Sequence, residues 1–483
     1  MPKPQPSGSG NRSGQQLAGY LSQDTICALA TAMGGPVVIL RVSGPDSENV
    51  LEKTCLLKKM DLAGARKLVL RKILDFEGKL LDEGLVSYFL GPESLTGEDC
   101  IEFHLHGSIA VVTDLVRTLA KLGVRQALPG EFSFRAVRNG KVSITQAEAV
   151  SDLISSSNRQ ASELALEKMQ GAQNRGLMAL SEELKQAIVL GELGIDFSDQ
   201  DIDEVSVVAL RKKLKDLAGK LERLCAGYDR GSKLQNGVVV AFVGLPNAGK
   251  SSFFNALLGE ERAIVSEFPG TTRDVIRERL TLQGTKSSVT LILHDTAGLR
   301  EGVDPVEKTG VQRTREIGKE ADLLLLILDA TGDAEPLLRE WKKTGVKGEK
   351  TLGILTKCDL ISDTRKKEWR KKLQLEFENT DIKDWAETSS VTGVGVHEAG
   401  RKIVEYCEKQ VFREPGEILL TRFEQLQAIE RCLEHIKRAE SVEVQELFVA
   451  DLRQALGALD PLIGRVLPED ILGRIFSQFC IGK

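Results

Sequence analysis

Nowhere in the 483 residues does an apolar run reach the roughly 18 residues that a membrane-crossing helix needs, so no membrane span is expected. The eight cysteines never come as C-x-x-C, and the nearest two in sequence are Cys407 and Cys432. That spacing argues against a zinc ribbon or a dithiol redox motif and suits a reducing compartment, so a cytoplasmic protein is expected. A dominant charge is also missing. With 65 Lys and Arg against 70 Asp and Glu, the net charge is -5, which excludes a wholly basic nucleic-acid binder. An anionic partner is left with local clusters such as Arg135, Arg138 and Lys141. Residues 1–22 carry Pro, Ser, Gly and Gln but no apolar core of signal-peptide length, and a disordered tail is expected there.

What is present is a phosphate-binding pattern. Gly244-Leu245-Pro246-Asn247-Ala248-Gly249-Lys250-Ser251 fits G-x-x-x-x-G-K-S/T, between the β-branched run Val238 to Val243 and a helical stretch from Ser252 to Leu258. Glycines let backbone NH groups curl around a phosphate at the positive end of the helix. Lys250 is placed to add a point charge on the β- and γ-phosphates, and the Ser251 hydroxyl to bind magnesium.

Three further segments follow in the order such a site requires. Gly270-Thr271-Thr272-Arg273-Asp274 offers a Thr272 hydroxyl for the magnesium shell. Asp295-Thr296-Ala297-Gly298 ends the apolar run Val289 to Leu293, with Asp295 for the magnesium shell and Gly298 for the γ-phosphate. Thr356-Lys357-Cys358-Asp359 follows the run Leu352 to Leu355, and the Asp359 carboxylate can accept from guanine N1 and its exocyclic amine, a pair of donors adenine lacks. Asn is the usual first residue of this segment, so Thr356 predicts a weaker brace to the phosphate loop. Ser389-Ser390-Val391-Thr392-Gly393 fits a last base-contacting loop, with Ser390 where Ala is commoner. Each segment alone is a turn or a strand end; four in this order predict a GTP-binding domain.

Two catalytic parts are absent from their usual places. Leu299 stands where a water-orienting Gln often follows the Asp-x-x-Gly motif, and no arginine finger is evident. Glu301, Asp304 and Glu307 are the carboxylates available for the water, and spacing does not rank them. Asn247 offers an uncharged oxygen where a monovalent cation could replace the finger; it reads equally as a turn residue in an awkward backbone.

Around this centre, short apolar runs from Ile26 to Ala136 alternate with helical stretches and predict an α+β domain. Cys100 to Gly107 alternates, placing Glu102, His104 and His106 on one strand face; the two histidines lack an evident third ligand for zinc. Beyond Gln146 the period becomes helical at Leu177, Leu180, Leu184 and Ile188, then from Leu210 to Leu224. It returns at Leu426, Ile429, Leu433 and Ile436, then Leu452, Leu456 and Leu459. The predicted fold class is multidomain α/β and α. Its parts are an N-terminal α+β domain (23–140), a helical domain in two pieces (141–235 and 411–483), and an inserted Ras-like P-loop domain with a doubly wound sheet (236–410).

The chain resembles the MnmE (TrmE) family of tRNA-modification GTPases from about Asp24 to its last residue. Leu40-Arg41-Val42-Ser43-Gly44, Leu95-Thr96-Gly97-Glu98-Asp99, Pro129-Gly130-Glu131-Phe132-Ser133 with Gln146-Ala147-Glu148-Ala149, and the ending Gly473-Arg474-Ile475-Phe476 with Phe479-Cys480-Ile481-Gly482-Lys483 carry the likeness. The resemblance implies a homodimer formed through N-terminal domains that bind a tetrahydrofolate derivative (5-formyl- or methylene-tetrahydrofolate). By position, Arg41, Glu102, Lys141 and Lys483 match its folate residues. It implies potassium-stimulated hydrolysis, with Asn247, Ser266, Phe268 and Thr271 matching the potassium positions and Glu307 the glutamate that orients water. It further implies a FAD-dependent partner, MnmG (GidA), in a heterotetramer that modifies carbon 5 of the wobble uridine (position 34) of certain tRNAs. Cys480 matches the family's C-terminal cysteine, either a participant in modification or a small buried residue. The pattern GTP, Mg2+ and K+ thus covers Ala248, Gly249, Ser252, Thr296, Ala297 and Ser389 besides the residues already given roles. Two rivals are an RNA-binding regulatory or ribosome-assembly GTPase, which has no use for folate, and an ATP-binding scaffold, which Asp359 argues against.

Overall fold

The computed structural model describes residues 20–58, 67–196, 204–259, 263–266, 278–284, 288–294, 320–333, 350–378, 382, 384–414, 416–442, 444–464 and 482. Two compact units divide the chain: 1–151, 169–181 and 456–483 form one, and 152–168 with 182–455 the other.

The first unit begins with strands β1 (Ile26–Leu29) and β2 (Val37–Ser43), helix α1 (Ser47–Cys55), and strands β3 (Val69–Leu74), β4 (Leu80–Phe89) and β5 (Cys100–His106). Helix α2 (Ile109–Lys121), the two-residue β6 (Arg125–Gln126) and helix α3 (Glu131–Arg138) follow. The six strands lie in the order β3-β4-β5-β2-β1-β6. Strict alternation on β5 buries Ile101, Phe103 and Leu105, while Glu102 and His104 stay half-buried and His106 exposed. The apolar face joins Val38, Leu40 and Val42 of β2 to Val112, Leu115 and Leu119, which recur at helical spacing on α2.

Behind β1 sits a buried ionic knot. Arg135, 0% exposed, donates to Glu98 Oε2 and Asp24 Oδ1, each at 3.0 Å, and to Glu131 Oε1 at 3.0 Å. Arg125 donates to the same Glu131 carboxylate at 2.6 Å and to Asp24 Oδ2 at 2.6 Å. Glu131 is itself 0% exposed, and it also takes the Leu128 amide at 2.8 Å. Every charge in the knot is countered, which is the condition for keeping it out of water.

Along the chain come helices α4 (Ile144–Ser155), α5 (Arg159–Met169), α6 (Ala172–Asp196) and α7 (Glu204–Asn236). Strand β7 (Val238–Val243), helix α8 (Lys250–Leu258), and strands β8 (Ala263–Ser266), β9 (Glu278–Gln283), β10 (Ser288–His294), β11 (Leu323–Asp329) and β12 (Thr351–Thr356) continue the second unit. After them lie α9 (Asp363–Glu378), β13 (Asp384–Glu387), α10 (Val396–Val411), α11 (Phe423–Ser441) and α12 (Gln445–Ile463). The seven-stranded sheet runs β13-β12-β11-β7-β10-β9-β8, parallel from β13 to β10 and antiparallel at β9 and β8.

Leu323 to Leu328 and Thr351 to Thr356 are buried at every position, as expected of parallel strands covered on both faces. Period two divides their side chains. Val238, Val240, Leu325 and Ile354 meet Phe253 and Phe254 of α8 and Ile403 of α10; Ala241, Val243, Leu326 and Leu355 meet Trp369 and Leu373 of α9. Among the helices, Leu177, Leu184, Leu214 and Leu221 are buried as the sequence period predicts. On α11 the buried centre is Ala428, Ile429, Cys432 and Ile436, with the leucines Leu426 and Leu433 on its flanks. Small residues face α7 there and allow close packing.

The knot fixes the acid and mutational sensitivity of the first unit. Burial raises the Asp24 carboxyl, but bonds from Arg125 and Ser22 and the charges of Arg125 and Arg135 outweigh it and hold it below its ordinary 3.8. Its stabilisation is therefore present above that value and lost as pH falls below it. Arg135→Met leaves the buried Glu131 with Arg125 as its cation and removes a bond each from Glu98, Asp24 and Glu131, and is expected to destabilise this unit by about 2–3 kcal/mol, measured by denaturant unfolding. A cost under ~1 kcal/mol would show the knot to be dispensable.

Candidate functional site

Strand β7 lies between β11 and β10, so the chain leaving it emerges at the carboxyl ends of parallel strands, where neighbouring connections diverge. Gly244 turns under β11, and a Cβ there would lie 2.5 Å from the Ile327 carbonyl. Asn247 adopts φ 62 and Gly249 φ 93, left-handed backbone that closes the loop onto α8. Lys250, the first residue of α8, turns back so that Nζ donates to the carbonyls of Gly244 at 3.0 Å and Leu245 at 2.9 Å. Ser251 is half-buried and Ser252 exposed on the first turn of the helix.

The base-side segment clamps this loop from below. Thr356, 2% exposed at the end of β12, donates its hydroxyl to the Ala248 carbonyl at 2.6 Å, and the Leu328 carbonyl lies 3.1 Å away. Lys357, held at φ 58, donates to the Asn247 carbonyl at 2.7 Å and to Asp329 Oδ2 at 2.6 Å. Thr356 thus braces the loop through a short, buried hydrogen bond. A threonine at this strand end already points at the loop, and its hydroxyl reaches the carbonyl without a longer amide.

Asp329 carries no motif signal beyond closing the apolar run of β11, and sequence reasoning missed it. It accepts from Lys357 and from Thr331, through the amide at 2.9 Å and the hydroxyl at 2.7 Å. Burial raises its carboxyl, but those bonds and the Lys357 charge prevail and hold it below the ordinary value.

Asp359 stands exposed in the 3-10 turn Cys358–Leu360. The last loop is tied to the same strand end: Thr388 donates its amide to Leu355 O at 2.7 Å, and Cys358 donates to Thr388 O at 3.1 Å. Ser389 is buried and its hydroxyl accepts the Thr392 amide at 3.2 Å, while Ser390 is half-buried. Ser266 closes β8. Phe268, Thr271, Thr272, Asp295, Thr296, Ala297, Gly298, Glu301, Asp304, Glu307, Cys480 and Lys483 lie outside the described residues.

In the first unit, Arg41 and Glu102 face each other in register across β2 and β5. Glu102 Oε1 accepts both Arg41 Nε at 2.9 Å and Nη2 at 2.8 Å, while its Oε2 lies 3.7 Å from His104 Nε2. His106 turns away to Asp82 at 2.8 Å. Among the described residues, no group of three or more His, Cys, Asp and Glu is placed to hold a metal ion. Lys141 is exposed beside the Gly97 turn. The basic cluster expected at Arg135, Arg138 and Lys141 does not form as a surface patch. Arg135 is the buried centre of the ionic knot, and Arg138 pairs with Glu98 at 3.3 Å.

Residues 144–480 match the family model described as the MnmE helical domain, and residues 25–141 the model of the GTP-binding protein TrmE N-terminus. The chain belongs to the MnmE (TrmE) family. The tRNA modification GTPase MnmE of Cytophaga hutchinsonii is 34% identical over 465 residues, covering 95% of this chain and 98% of that one. That of Alkaliphilus metalliredigens is 36% identical over 469 residues, 95% of this chain and 99% of that one. Among solved structures, the G domain of the T. maritima FeoB iron transporter is 29% identical, covers 35% of this chain and 98% of its own, and has a TM-score of 0.25.

Of the two clamp residues, Lys357 is the one that can be tested without touching the strand end. Lys357→Met removes two charge-assisted bonds, from a loop carbonyl and from Asp329, while leaving the strand end intact. Guanine-nucleotide affinity is expected to fall about tenfold or more in a fluorescent-nucleotide titration. Unchanged affinity would show that the loop holds its shape without Lys357.

Proposed function

We propose that this chain is a GTP hydrolase that takes part in tRNA modification, its site lying where β7, β11 and β12 end. The observation that carries the reading is the pair of bonds from Thr356 and Lys357 to the carbonyls of Ala248 and Asn247, which joins a phosphate loop to a base loop as one rigid cradle. In this reading residues 236–410 are a Ras-like G domain inserted in a helical domain, and residues 23–140 the dimerising, folate-binding domain. The family membership and the names of the relatives support it.

Lys250 already points its ammonium into the loop, where it donates to the backbone carbonyls of Gly244 and Leu245, bonds that phosphate oxygens can replace. Ser251, Thr272 and Asp295 are the residues for Mg2+; Thr296, Ala297 and Gly298 line the γ-phosphate. Asp359, exposed and beside the clamp, accepts from the guanine. Hydrolysis is attack of water on the γ-phosphorus, with GDP leaving and a proton released with phosphate. Glu307 orients that water and Leu299 cannot. Asn247 fits a potassium role, because its backbone carbonyl is occupied by Lys357 while its residue is exposed on the loop. Ser266, Phe268 and Thr271 complete that site. Here K+ supplies the charge that an arginine finger supplies elsewhere.

The N-terminal face suits a tetrahydrofolate derivative. Glu102 gives Oε1 to Arg41 and leaves Oε2 to accept from a pterin N–H, with Lys141 and Lys483 for the anionic tail. The reading extends to a cytoplasmic homodimer that works with the FAD-dependent MnmG on carbon 5 of the wobble uridine of certain tRNAs, the folate supplying the carbon. No helix among the described residues is long and apolar enough to cross a membrane.

Steady-state hydrolysis at several protein concentrations is expected to be fast in potassium and slow in sodium at matched ionic strength, with GTP and not ATP displacing a labelled nucleotide. Equal rates in the two salts would remove the cation from the mechanism. Glu307→Ala is expected to keep nucleotide affinity within about twofold while hydrolysis falls on the order of a hundredfold. Retention of most activity would assign the water to another group.

A further inference from the structure

We infer that the Thr356 hydroxyl donates its single proton to the phosphate loop and gives none to the base, so that this position shapes the loop while guanine is read without it. The inference rests on the guanine-nucleotide reading above and goes on to say which edge of the base this side chain leaves unread.

A hydroxyl has one proton. Around Thr356 Oγ1 stand two backbone carbonyls, Ala248 at 2.6 Å and Leu328 at 3.1 Å, and neither can donate. The proton therefore points inward to one of them, with the shorter contact favoured. Turning it outward would leave a carbonyl in a residue 3% exposed, Ala248, without this donor. The side chain is also pinned sterically. A Cβ at Gly249 would lie 3.4 Å from Oγ1 and 3.5 Å from the Thr356 Cβ, so the loop rests directly on it.

Guanine presents N1–H and its amine as donors, and N7 and O6 as acceptors. Asp359 suits the donors. Toward the acceptors Thr356 has nothing left to give, whereas an Asn amide at this position has two protons and can hold the loop and still donate. Thr356 is thus a positioning residue for the loop and silent toward N7.

The test is a titration of full-length protein with GTP and with 7-deaza-GTP, which lacks the N7 acceptor, in wild type, Thr356→Val, Thr356→Ser and Thr356→Asn, with thermal melting of each. Wild type is expected to bind the two nucleotides within about twofold. Thr356→Val, the same shape without a hydroxyl, should weaken both equally by about tenfold, and Thr356→Ser should recover most of that loss. Thr356→Asn should introduce a preference for GTP over 7-deaza-GTP. A wild-type preference for GTP that vanishes in Thr356→Val would show that the hydroxyl does donate to N7 and overturn the inference; undiminished GTP affinity in Thr356→Val would overturn its positioning half. Should Thr356→Val not fold, the wild-type and Thr356→Asn pair still decides the N7 half and Thr356→Ser the positioning half. If wild type binds neither nucleotide, it is the functional reading that fails, a result separable from all of these.

Discussion

The second unit is governed by a strand packed against apolar layers on both faces. β7 carries Val238, Val240, Ala241 and Val243 into two separate apolar layers, with β10 and β11 occupying both of its hydrogen-bonding edges. Such a strand cannot curve away or fray, so its carboxyl end is a fixed point. The chain that follows must climb out past β11, and the Ile327 carbonyl leaves no room for a side chain at Gly244. The phosphate loop is therefore a consequence of the buried sheet as much as of its own sequence. Its glycines answer one to a neighbouring strand and one to a left-handed turn.

The same logic separates structure from chemistry in the first unit. Ser43, Glu98 and Glu131 belong to three of the sequence stretches that mark the family, and all three lead to Arg135. Ser43 donates to Glu98 at 2.8 Å, and Glu98 and Glu131 each accept from the guanidinium. The stretches thus converge on a buried charge that could not stand alone, which is reason enough for their residue types. Arg41, two residues before Ser43 on β2, pairs instead with Glu102 across the sheet on β5, and both stay half-buried.

The sequence made legible what depends on local periodicity. Val238 to Val243 and Leu352 to Leu355 read as strands because they are continuous apolar runs, and the phosphate loop because its pattern ties residue type to backbone conformation. What depends on long-range pairing was hidden. Arg135 looks like part of a basic cluster beside Arg138 and Lys141, and only the return of Asp24 and Glu98 to it, from far along the chain, makes it a core residue. Asp329 looks like a strand end until Lys357 meets it. Thr356 shows the same limit: its residue type does not tell the reach of its hydroxyl, whose distance to the Ala248 carbonyl is set by where β12 stops.

A buried polar joint links the helices to strands β9 and β10. Between α4 and α5, Ser157 shares a hydrogen bond with Thr290 at 2.7 Å, and Asn158 donates to the same hydroxyl at 2.9 Å while its own oxygen caps the Ala161 amide. Thr290 is on β10 and 2% exposed, and Thr281 opposite it on β9 is 3% exposed. Leu164, on α5, packs in the same apolar layer as β10. Opening this corner would leave several polar groups buried and unpaired, each at a cost of about 1–3 kcal/mol. The start of α5 and the β9–β10 edge are therefore held together by polar bonds as well as by apolar packing. Two small polar residues, Ser157 and Asn158, and two threonines, Thr290 and Thr281, secure this corner, none of them marked by a motif.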